Sequence, residues 1–179
     1  MLKKKIKVIF MIIAVFIIGI SIMDINFENK ASAESEVMFL NESITLKDIN
    51  KINKVLKELK GSNYYKDINI SEDHTEKILS IFYSINNALG ESDYINFWND
   101  INKREIIISN AVYMFLIIDE LDIVIINLED SIGEEFVINR SDIENVYNIA
   151  LEEYEINEEN LAKLMTKDCI EEIWYIVNG

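Results

Sequence analysis

No proline occurs anywhere in the 179 residues, and glycine occurs five times. Average usage would supply about nine prolines in this length. These two residue types interrupt helices and strands most effectively, so a chain nearly without them keeps its elements long. Apolar residues recur along most of the chain at spacings that fit helices better than strands. The expected fold class is therefore mainly α: a single-domain helical bundle of about five helices after an N-terminal signal segment. The alternative is α+β, with a short hairpin near residues 123–138.

The N-terminal segment has its own signature. Lys3, Lys4, Lys5 and Lys7 precede an uncharged run from Val8 to Met23, and Ala31-Ser32-Ala33 follows. A basic head, an apolar stretch and small residues at a cleavage site describe a signal peptide, with Ala31 and Ala33 read by the peptidase. The apolar run is shorter than the ~20 residues of a spanning helix. Cleavage is the expectation, and retention of residues 8–23 as a membrane anchor is the alternative. Either way the lysines stay on the cytoplasmic side and the remainder is exported. The expected location is extracytoplasmic, secreted or held at the outer face of the cytoplasmic membrane. The expected organisation is a signal segment at 1–33, a flexible acidic lead-in at 34–44 and an acidic helical domain at 45–179. The heavy use of Ile, Asn and Lys suits a bacterial chain from an AT-rich genome.

Charge narrows the partners. The formal net charge is −15, and residues 34–179 alone carry 12 basic against 30 acidic side chains. The imbalance is steepest over residues 104–179, with 4 basic and 18 acidic side chains. Such a surface repels nucleic acid and anionic lipid. The expected partner is a basic protein or peptide, with membrane contact only through the N-terminal segment. The single Cys169 cannot form an internal disulfide, and one Cys with one His cannot build a Cys/His zinc site. No metal and no cofactor are expected.

Along the exported part, a first helix is expected over 45–60, capped by Thr45, with an apolar stripe of Ile49, Ile52, Leu56 and Leu59. Lys47, Lys51, Lys54, Lys57 and Lys60 cover its other side. Residues 61–70 read as a loop. A second helix from Ser71 to Gly90 would bury Ile78, Leu79, Phe82, Ile85 and Leu89. Tyr94, Phe97 and Trp98 share a helical face, and a buried central helix is expected within 104–128. Ile106–Ile108 and Ile123–Ile126 are β-branched enough to be strands, and Phe136–Ile138 can pair with the latter across Gly133. Ser141-Asp142-Ile143-Glu144 has the form of a capping box. A last helix over 158–177 would bury Leu161, Met165, Cys169, Ile173 and Ile176.

The chemistry-bearing residues are few. A Cys169/His74 nucleophile pair is the sharpest enzymatic arrangement, but Cys169 falls on an apolar stripe and His74 in an exposed first helical turn. No catalytic residue is therefore assigned. Carboxylate pairs can hydrolyse glycosidic bonds without histidine. Asp67-Ile-Asn69-Ile-Ser71 begins like a calcium loop, yet Glu72 stands where the turn glycine belongs and Ile78 where a bidentate glutamate belongs. Binding residues are expected instead at the loop pair Tyr64 and Tyr65 and at two acidic clusters, Asp119, Glu120, Asp122 and Glu152, Glu155, Glu159. Tyr94, Phe97 and Trp98, or Trp174 and Tyr175, are core residues or an aromatic platform. The sequence thus predicts an exported acidic helical binding protein, an inhibitor or immunity-type partner of a basic protein. The alternatives are an extracytoplasmic carboxylate-dependent hydrolase and a weak calcium-binding surface protein.

Overall fold

A computed structural model describes residues 44–72, 75–151, 154, 160 and 163–178. All belong to the unit Val37–Gly179. The signal segment with Ala31 and Ala33 lies outside the described residues. Among those described, no helix is long and apolar enough to cross a membrane.

The helical bundle expected from periodicity is overturned. Four strands form one sheet in the order β1 (Tyr65–Glu72), β2 (Lys77–Tyr83), β3 (Ile123–Leu128), β4 (Glu134–Asn139). β1 and β2 are antiparallel, β3 and β4 are antiparallel, and β2 runs parallel to β3. Two hairpins are thus joined side by side, and the parallel join requires a crossover connection. Helices α2 (Glu91–Phe97) and α3 (Asp100–Ile117) supply it. Helix α1 (Ile49–Leu56) precedes the sheet, and α4 (Arg140–Tyr147) and α5 (Lys167–Asn178) follow it. The molecule is α+β.

The first hairpin contradicts the sequence reading most directly, because it occupies the segment assigned to a loop and a helix. Ile78, Phe82, Ile85 and Leu89 happen to fall at helical spacing, yet the same stretch reads Lys-Ile-Leu-Ser-Ile-Phe-Tyr, rich in β-formers. As a strand, Leu79, Ile81 and Tyr83 point to one side and are fully buried, while Leu89 is 42% exposed. The second hairpin, β3 and β4 across Gly133, corresponds to the α+β alternative.

The core lies on one side of the sheet. Leu79, Ile81, Tyr83, Val124, Ile126 and Ile138 share it with the buried faces of all five described helices. Every residue from Ala111 to Ile118 is buried. α3 is therefore the central helix that its all-round apolarity predicts, but it stops at Ile117, where β3 was read as its continuation. Arg140 explains part of that stop. Its Nη2 donates to the carbonyls of Phe115 (2.8 Å) and Ile118 (2.7 Å), and its Nε to Leu121 (2.7 Å). Phe115 lies in the last turn of α3, where a helix leaves its carbonyls without backbone partners, while Ile118 and Leu121 lie just beyond it and the Ile118 carbonyl also accepts from the Leu121 N–H at 3.1 Å.

Two local signals resolve differently from their sequence reading. At α1 the cap is Asp48 rather than Thr45: the Asp48 carboxylate accepts from both the Thr45 N–H and its hydroxyl at 3.1 Å. Those bonds hold the Asp48 carboxyl below its ordinary pKa. The Ser141–Glu144 capping box does not form. α4 begins at Arg140, and Glu144 instead accepts from the Leu151 N–H at 3.0 Å. On α5 the inward residues are Ile170 and Ile173, while Ile176 is 45% exposed.

Candidate functional site

Among the described residues, the expected tyrosine pair and the Asp119 cluster lie at separate places in the fold. Tyr64 is buried, its ring 5.3 Å from that of Tyr94 and 4.9 Å from that of Phe97. Tyr65 is half-buried at the start of β1 and its hydroxyl donates to Asn53. Burial, with the Asp67 charge behind it, pushes the Tyr65 phenol up to about 12. Neither tyrosine is the exposed loop aromatic that the sequence suggested, because the loop is a short 3-10 turn leading into a strand.

The cluster Asp119, Glu120 and Asp122 is largely engaged within the fold. Glu120 accepts from the Leu46 N–H at 2.9 Å and pairs with Lys77. The Lys77 ammonium, then the Leu46 bond, hold its carboxyl below the ordinary value. Asp122 accepts from the Lys77 N–H at 2.8 Å, and its own N–H donates to the Lys77 carbonyl at 3.0 Å. These acids pin the chain before α1 and the start of β2 to the end of α3. Asp119 is exposed. Glu152, Glu155, Glu159 and His74 lie outside the described residues. Asp67, Asn69 and Ser71 lie on strand β1, not in a loop, and among the described residues no group of three or more His, Cys, Asp or Glu is placed to hold a metal ion. Cys169 is half-buried and free. Trp174 stacks on Phe136 at 5.2 Å, whereas Tyr175 is 78% exposed.

Sequence reasoning missed the sheet's second face. By register, Ile78 pairs with Ile123, Ser80 with Ile125, and Phe82 with Asn127, all on the side away from the core. Ile78, Phe82, Ile123 and Ile125 are partly buried and do not belong to the core cluster. The flanking strands frame them with polar groups: Asp67, Asn69 and Ser71 from β1, and Glu135 and Asn139, with the 43% exposed Val137, from β4. The face has an apolar centre and a polar rim with a carboxylate at each margin, and no basic side chain projects from its register positions. The signal was present in the sequence: β2 and β3 are apolar at nearly every position rather than at every second one.

Behind the face, a buried polar cluster fixes the sheet on its helices. The Asn110 Nδ2 donates to the Tyr83 hydroxyl at 3.0 Å and to the Lys60 carbonyl at 2.9 Å. The Tyr94 hydroxyl donates towards the carbonyls of Tyr83 (3.0 Å) and Glu129 (3.2 Å). Lys103, 11% exposed at its side chain, reaches Glu134 at 2.7 Å and ties α3 to β4. These contacts tie β2 and β4 to α2 and α3.

Comparison with family models, with curated proteins and with solved structures gives no match to this chain.

Proposed function

We infer that this chain is a binding protein whose open sheet face receives a basic protein or peptide. The observation that carries this reading is the apolar character of the water side of β2 and β3. A sheet with one solvated face normally alternates apolar and polar residues. Here Ile78, Phe82, Ile123 and Ile125 are apolar on the side that none of the described helices covers. Apolar centre and polar rim are the anatomy of a protein interface. Asp67 and Glu135 at opposite margins, on a chain of net charge −15, favour a partner that brings lysine or arginine around an apolar patch. The inhibitor or immunity-type role and the extracytoplasmic setting, drawn from the leader through Ala33, belong to the same proposal.

The experiment is capture of a partner by the full chain at its native cell surface, repeated with Ile125→Lys and Val137→Lys. The wild-type chain captures a basic protein, and its association slows at least about tenfold between low and high salt. Both variants lose the capture while their melting temperatures stay within about 4 °C of wild type. Capture that survives both substitutions, or an association rate indifferent to salt, overturns the reading.

A further inference from the structure

β1 is an edge strand, and among the described residues no strand pairs with its outer side. A free edge of eight residues presents a row of backbone N–H and C=O groups, and proteins usually guard such edges with charges or bulges. β1 has both. A register shift falls between Tyr65 and Asp67, and Lys66, Asp67 and Glu72 are exposed.

The order of these residues leaves one pairing open. Set antiparallel against itself with Asn69 opposite Asn69, the regular part of the strand places Asp67 opposite Ser71 and Ile68 opposite Ile70, and the bulged Lys66 comes level with Glu72. Directly opposed residues share a face, and their side chains interact. Ile68 and Ile70 pair with Ile81 and Leu79 of β2, so both lie on the core side, where they are half-buried. Their cross-pairing would continue the core across the edge. Lys66 bonds Glu129 at 2.6 Å and retains ammonium protons for a second carboxylate. Centring the pair on Ile68 or on Ile70 instead sets Lys66 or Glu72 against isoleucine. The registers in between set core-side residues against water-side ones.

We propose that the β1 edge pairs with the β1 edge of a second copy of this chain, antiparallel about a two-fold axis at Asn69. Two four-stranded sheets then become one of eight, with the same patch used by both copies. The guarding charges exclude other strands and other registers while matching this one, which is specificity by repulsion as well as attraction. This edge is distinct from the apolar sheet face, and the pairing does not depend on the partner proposed there.

The test is cysteine crosslinking of the full chain in mild detergent, in a Cys169→Ser background. Asn69→Cys stands opposite its own mate, with Cβ atoms about 5 Å apart and within reach of a disulfide. Ser71→Cys lies about 13 Å from its mate along the strand. Mild oxidation yields a covalent dimer for Asn69→Cys and at least about tenfold less for Ser71→Cys. No crosslink at Asn69, or equal crosslinking at both positions, overturns the proposal. Charge reversal gives a second readout by sedimentation equilibrium. Lys66→Glu and Glu72→Lys each weaken the dimer about tenfold by setting like charges opposite, and the double reversal restores it to within about threefold. A double reversal no better than the single ones sinks the register.

Discussion

Arg140 shows how much one side chain can organise. A guanidinium presents its donors in a fixed planar fork, and here the fork meets three backbone carbonyls in the last turn of α3 and the segment just after it. Its charge also lies 5.2 Å over the ring of Phe115 and complements the negative end of the helix. Lysine has the charge but not the geometry. Arg140→Lys is expected to lower unfolding free energy by about 2 kcal/mol in urea titration, because at least one partly buried carbonyl loses its donor. A loss below about 0.5 kcal/mol would show that water replaces the fork without cost. No sequence pattern marks this arginine, since its partners lie 19 to 25 positions away.

Among the elements, two glycines separate backbone conformation from packing. Gly61 and Gly133 both adopt the left-handed region, with φ of +90° and +62°. A Cβ on Gly133 would meet no atom closer than the Asp130 carbonyl oxygen at 3.9 Å, whereas on Gly61 it would press Trp98 and Tyr83 at 3.3 Å. Gly133→Ala should cost about 1 kcal/mol, the ordinary penalty of that conformation. Gly61→Ala should cost about 2–4 kcal/mol, because two buried rings cannot both retreat from it. Equal melting temperatures for the two variants would refute the packing argument. The first hairpin escaped the sequence reading for a different reason. Apolar residues at 78, 79, 81, 82 and 83 satisfy a helical stripe and a two-faced strand alike, and pairing with β3, over 40 residues away, decides between them. α3 was legible because a continuous apolar run from Ala111 to Ile118 has to be buried on all sides whatever surrounds it.

For the whole molecule, buried phenols predict a loss of stability at alkaline pH. Burial raises the pKa of Tyr83, Tyr94 and Tyr147, and brings Tyr65 to about 12, against an ordinary value of 10.0. A folded-state pKa above the unfolded one means that the unfolded chain releases its proton first. The stabilisation is complete below pH 10 and is lost as pH rises from there through the folded values. Melting temperature should therefore fall steeply above pH 10, and phenolate absorbance from these tyrosines should appear together with unfolding. Phenolate absorbance that develops fully while the circular dichroism of the fold persists would contradict this. The candidate interface belongs to this scale too. Residues from all four strands, up to 72 positions apart, compose the sheet face that no described helix covers, and no local segment reveals it.

By itself the sequence determined the central buried helix and the acidity of the chain. These follow from residue type and local spacing, which act over a few neighbours. Tertiary structure decided which apolar segments became strands, which acids bond Lys77 and the chain near Leu46, and which face of the sheet the described helices leave uncovered. Those outcomes depend on pairing between distant segments. A short apolar run gains about as much by burial in a helix as in a strand, so only the partner it meets settles its form.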